Sequence, residues 1–128
     1  MEDQDHEGKK ILVIQTHGVA TPTRTYSPIF YAMAAAAMEM EVMVWFTMNG
    51  TNQLKEGEAE KIQLDKTSNV NLKSMLTMAM DSDVELRVCQ QSLELWDMTP
   101  ADLIDGVEIL GATSIIDLAL EYDHVMYF

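Results

Sequence analysis

The stretch VELRVCQQSLELW holds the single cysteine of the 128-residue chain, Cys89, where alternating apolar residues give way to two glutamines and a serine. A thiol at the start of a helix meets unpaired backbone N–H groups and the positive end of the helix dipole, and both favour the thiolate. The competing role is a small apolar plug at a strand end, because free cysteines are among the most buried residues. Gln90, Gln91 and Ser92 are polar, which argues against deep burial. His17, in QTHGVATPTRT, is the second candidate, as a base or hydrogen-bond partner for the thiol or as a loop histidine bonded to local backbone. Gly111, before ATSIIDLALEY, is either a turn residue or part of a helix N-terminus able to hold an anion.

These residues need a frame that brings them to one edge. KILVIQT, Lys10 to Thr16, is a continuous β-branched run suited to a strand covered on both faces, and EVMVWFT, Glu41 to Thr47, is another. Between them Ile29, Met33, Ala36, Ala37 and Met40 recur at helical spacing. TNQLKEGEAEKIQLDKTSN is polar and is expected to form a short helix followed by a mobile loop. Leu72, Met75, Leu76 and Ala79 mark a second amphipathic helix with Asn71 as its cap. Strands at Val84 to Val88, Val107 to Leu110 and Val125 to Phe128 follow, with a short helix after Cys89 and a longer one after Gly111. Thr99, Pro100 and Asp102 have the types expected of a capped helical turn.

This alternation predicts an α/β fold, a three-layer sandwich around a mainly parallel five-stranded sheet with helices on both faces. In such sheets ligands bind beyond the carboxyl ends of the strands, at the point where strand order reverses. Cys89, His17 with Gly18, Asn49 with Gly50, and Gly111 to Ser114 all follow strands, so they share that edge.

A chain of this length fits one domain, here residues 10–128 behind an acidic tail at 1–9 that reads as flexible. The formal net charge of −13 repels phosphate backbones, which opposes direct nucleic-acid binding. The start MEDQDHEGKK lacks the pattern of a secretory signal, and FYAMAAAAMEM is broken by Glu39 and Glu41, so neither export nor membrane insertion is expected. A cytoplasmic location follows as an expectation. A lone cysteine makes no intramolecular disulfide and suits a reducing compartment. The eleven methionines suggest an adaptable core or oligomer contacts and no metal site.

Three thiol or anion folds fit poorly. TPTRT after the first strand suggests a flavin phosphate loop, but Pro22 has no N–H to donate. CQQS matches a monothiol C-x-x-S pattern, yet it comes two-thirds along the chain, not after the first strand. No arginine- and glycine-rich cradle of the rhodanese kind follows Cys89. Taken as a layout, CQQSLEL followed by TPADLIDGVEILGATSIIDLALEYDHVMYF, with SPIFYAMAAAAMEMEVMVWFTMNG before it, resembles the DsrE/DsrF-like family of small sulfur-relay proteins over residues 10–128.

The resemblance implies a sulfur carrier that accepts sulfane sulfur on Cys89 as a persulfide and passes it to an acceptor protein, in a homo-oligomer of three or six chains. Only Cys89 transfers as an active residue; His17 is added from its place in the chain. No organic cofactor or metal is implied. The alternative is a non-catalytic oligomeric scaffold or regulator in which Cys89 is merely packed. One departure is Asp97, where a glycine is expected after the short helix, so a reshaped turn is anticipated there. Beside it, Trp96 either covers the thiol, forms a partner surface, or packs on the core edge.

Overall fold

The computed structural model describes residues 5–65, 67 and 69–128. The five apolar runs form β1 (Lys10–Gln15), β2 (Glu41–Phe46), β3 (Glu85–Cys89), β4 (Val107–Leu110) and β5 (His124–Tyr127), all parallel, in the order β4-β3-β2-β1-β5. The middle strand is β2, and Val42 to Phe46 are all buried, as expected where both faces are covered. Register places Val13 opposite Val44, Trp45 opposite Arg87, and Cys89 opposite Leu110.

Handedness decides which helix covers which face. The chain steps from β1 to β2 to β3 in one direction and returns from β4 to β5 in the other, so right-handed crossovers put the two sets of helices on opposite sides. Accordingly α1 (Ser27–Ala37), α2 (Leu72–Asp81) and α3 (Gln90–Leu95) supply Ile29, Ala32, Leu72, Met75, Leu76, Ala79 and Leu93 to the larger core, with Val13, Val44, Phe46, Leu86 and Val88. On the opposite face α4 (Ala112–Glu121) alone lies over Leu12, Met43, Trp45 and Cys89, through Ile115. The three layers are therefore unequal, and Ile116, Leu120, Val125 and Tyr127 stay exposed on and beside α4.

Local signals hold where the partner atoms lie in the same segment. Asn71 caps α2 by accepting the Ser74 N–H at 2.9 Å. Thr99 donates its N–H to the Asp102 carboxylate at 2.8 Å across the short 3-10 turn Pro100–Asp102. Asp97 corrects the expectation of a reshaped turn. With φ of 52° it takes the left-handed conformation itself, and the Met98 N–H closes on Leu93 O at 2.9 Å. The segment expected to be a short helix and mobile loop is instead two 3-10 pieces, Met48–Leu54 and Ala59–Lys61, with Gln63 bridged to Asn71. Leu54, Ala59 and Ile62 are buried and pin it to the core. Of the acidic tail, residues 1–4 lie outside the described residues, while Gly8 donates its N–H to Glu39 O at 3.0 Å.

Candidate functional site

Cys89 is both the last residue of β3 and the N-cap of α3. Its side chain is only 5% exposed and packs on the α4 face, which corrects the expectation drawn from its polar neighbours. The reason is geometric. Side chains alternate across a strand, so Cys89 shares the face of Arg87 and points beneath α4, while Gln90 and Gln91 lie on an exposed turn. The exposed Gln91 reaches back, and the thiol donates to its Oε1 at 3.5 Å.

Ser92 lies three residues past the cap, at the position whose backbone N–H faces an N-cap side chain. It too is buried, not carried out of the core as its polarity suggested. Its Oγ accepts the Met48 N–H at 2.9 Å and lies 3.3 Å from the Thr47 hydroxyl. Because Met48 occupies a lone pair, the single Ser92 proton is directed elsewhere, to Cys89 Sγ or to Thr47. Burial by itself pushes the Cys89 thiol up. Hydrogen bonds from the Ser92 hydroxyl and N–H, the Thr47 hydroxyl and the Gln91 N–H outweigh it, and the thiol ends below its ordinary value.

This network is anchored from outside by Trp96, whose indole N–H donates to Met48 O at 2.8 Å. Met48 has φ of 53°, a backbone conformation that side-chain-bearing residues rarely adopt, and its two peptide groups are held by Ser92 and Trp96. The loops after β1 and β2 are interlocked in turn. A Cβ on Gly18 would strike the Asn49 carbonyl, and one on Gly50 would strike that of Gln15. Val19 donates its N–H to Asn52 Oδ1 at 2.9 Å.

His17 stands on the same edge, after β1, with its N–H bonded to Gln15 Oε1 at 3.0 Å and its carbonyl accepting from Gln53 Nε2 at 2.8 Å. Its Nδ1 lies 3.4 Å from the Thr16 hydroxyl. Two strand spacings, about 10 Å, separate β1 from β3 with β2 between. The connections after β3 and β4 leave for opposite faces, into α3 and α4, so the crevice at the strand ends falls between these two strands, at Cys89 and Gly111, and His17 stands two strands away from Cys89. Gly111, opening α4, lies beside the start of α3, where a Cβ would come within 3.4 Å of Gln90 Oε1. Among the described residues no three His, Cys, Asp or Glu side chains gather to hold a metal ion. No helix among them is long and apolar enough to cross a membrane.

Sequence reading missed Ser92 and Thr47 as partners of the thiol. The signal was present in the three-residue spacing from Cys89 to Ser92 and in the hydroxyl that ends the second strand.

The geometry defines a class: a parallel α/β domain with its single cysteine at a strand-to-helix corner. The chain belongs to the DsrE/DsrF-like family, whose model matches residues 9–128. Among its relatives is the sulfur carrier protein DsrE2 of Allochromatium vinosum, 28% identical over an alignment of 159 residues that covers 94% of this chain and 99% of that protein. An uncharacterised protein of Methanocaldococcus jannaschii is 21% identical over 84% of this chain and 38% of its own length. In fold the chain is similar to the YchN protein of E. coli, with a TM-score of 0.78 and 19% identity, covering 94% of this chain and 99% of that one. A protein of unknown function from Methanobacterium thermoautotrophicum, MTH1491, gives 0.67 at 15% identity, with the same coverage.

Proposed function

We propose that this protein is a sulfur carrier that loads sulfane sulfur on Cys89 and relays it to the thiol of an acceptor protein. The observation that carries this reading is the place of Cys89 at the N-cap of α3, beside the paired Ser92 and Thr47 hydroxyls that lower its thiol. The sulfur-carrier name of the Allochromatium relative supports it. In loading, the Cys89 thiolate attacks the outer sulfur of a donor persulfide; the new S–S bond forms as the donor's breaks, and the donor leaves as a thiolate. Delivery is the same exchange in reverse toward an acceptor thiolate, with no net oxidation. The chain has one cysteine, so no internal disulfide competes and the sulfur leaves only to an external thiol. Rotation of the exposed Gln91 side chain off Sγ opens the thiol to the donor. His17 serves as a proton partner reaching the site through water. The exposed apolar residues of α4 and β5 support assembly into a homo-oligomer of three or six chains. A cytoplasmic setting, with donor and acceptor proteins and without nucleic acid, completes the reading.

The burial of Cys89 beside Leu110 and Ile115 favours a second reading, an oligomeric scaffold with a structural cysteine. Intact mass spectrometry decides between them. Native protein incubated with glutathione persulfide or tetrathionate is expected to gain an adduct that Cys89→Ser does not. A thiol that no donor and no small alkylating reagent modifies until the protein is unfolded would establish the scaffold.

A further inference from the structure

Next to the thiol corner, Met48 and Trp96 are 56% and 37% exposed and joined by the bond from the Trp96 indole to the Met48 carbonyl, and Leu95, 63% exposed, ends α3 just before Trp96. Large apolar side chains on a soluble surface are unremarkable singly, but contiguous ones beside a reactive group mark an interaction site. The backbone adds weight. Met48 is held in a left-handed conformation that glycine would adopt at less cost, and the result is a long flexible side chain presented to solvent. Seven residues of helical rise put Trp96 about 10 Å from Cys89, well inside the footprint of a standard protein contact. Glu94 and Asp97, both exposed, flank the patch in a chain whose net charge is −13.

Resting on the sulfur-carrier reading, we infer that the Met48–Leu95–Trp96 surface docks the sulfur-exchange partner through a segment that bears a cysteine among apolar residues and is flanked by lysine or arginine. The apolar side chains of that segment cover Trp96 and Leu95, its cations meet Glu94 and Asp97, and its thiolate attacks the outer sulfur on Cys89. The Cys89–sulfur bond breaks as the partner's S–S bond forms, and Cys89 leaves as the thiolate that Ser92 and Thr47 stabilise. Charge complementarity sets the encounter rate, and the apolar contact holds the segment in place.

The test uses the full chain loaded with sulfane sulfur and two synthetic peptides, each with one central cysteine and the same apolar residues, one flanked by lysines and the other by glutamates. Mercaptoethanol is the neutral reference thiol. The lysine peptide is expected to take sulfur at least about tenfold faster than the glutamate peptide, with the gap shrinking at high salt. In Trp96→Ala and in the double variant Glu94→Lys/Asp97→Lys, the ratio of the lysine-peptide rate to the mercaptoethanol rate is expected to fall about tenfold. Equal peptide rates, or a ratio unchanged in both variants, would overturn the inference. A second arm needs no loaded sulfur: adding the serine version of the lysine peptide should shift the Trp96 indole and Met48 amide NMR signals. If Cys89 never loads but these signals shift, the carrier reading fails and the docking surface stands. If they do not shift, or move with protein concentration alone, the docking surface fails whatever Cys89 does.

Discussion

Two corners of this sheet are built alike and differ in what surrounds them. At Cys89 and at Gly111 a strand passes directly into a helix, both cap residues have extended backbone, and a serine stands three residues further on. Ser92 is buried and bonded to Met48, whereas Ser114 is exposed. The difference lies in the neighbouring strand. On one side β3 is flanked by β2, whose following loop folds over α3 and brings the Thr47 hydroxyl and the Met48 N–H to Ser92. By contrast, β4 is an edge strand, and among the described residues no strand lies beyond it to send such a loop over the start of α4. A strand-to-helix corner thus supplies a place for a thiol, and the loop of the adjacent strand supplies part of what lowers it.

The comparison breaks most severely at the loop. Gly50→Val should destabilise the fold by roughly 2 to 4 kcal/mol in urea unfolding, because a Cβ there meets the Gln15 carbonyl, which is backbone. Reactivity at Cys89 should fall with it, as the loop that holds Thr47 and Met48 is displaced.

The two serines then give the direct contrast. Ser92→Ala removes the acceptor of the part-buried hydrogen bond from the Met48 N–H and should cost about 1 to 3 kcal/mol, while Ser114→Ala should stay within about 0.5 kcal/mol. Ser92→Ala should also move the pH profile of Cys89 alkylation upward. The sign has a consequence for stability. A thiol lowered in the native state binds fewer protons than the unfolded one, so stability rises with pH from the native value up to the unfolded value of about 8.5. In Ser92→Ala that rise should shrink; Ser114→Ala should keep it.

A smaller effect tests the turn behind α3. Asp97→Gly should stabilise by about 0.5 to 1 kcal/mol, since φ of 52° disfavours a side chain, with no change in the alkylation profile. His17→Ala should give the smallest shift of the alkylation profile, because β2 lies between β1 and β3. An identical profile would assign His17 to its local bonds with Gln15 and Gln53.

How far the sequence could be read follows the range of each interaction. Val42 to Phe46, Asn71 and the Thr99 to Asp102 turn were legible because their causes lie within a few residues: a run of apolar side chains, a cap, a capping carboxylate. The corner at Cys89 was legible for the same reason. Its burial was not, because that depends on α4 folding back across the sheet, and the polar residues after it sit on the turn and not over the thiol. Ser92 was misjudged because its partners Thr47 and Met48 come from a strand more than forty residues earlier. The gap between His17 and Cys89 was hidden until strand order put β2 between them, and chain order alone shows only that both follow strands. The polar stretch from Thr51 read as a short helix leading into a mobile loop; the burial of Thr51 to Leu54 comes from partners in the β1 loop, such as Gln53 with the His17 carbonyl.

The β2 loop, through the Thr47 hydroxyl beside Ser92, is part of what lowers the Cys89 thiol. Following thiolate absorbance near 240 nm across pH in the native protein, with Cys89→Ser as blank and Ser92→Ala beside it, tests this most directly. The account predicts a single transition below the ordinary thiol value that disappears in Cys89→Ser and moves up in Ser92→Ala. A transition at or above the ordinary value, unchanged in Ser92→Ala, would contradict it.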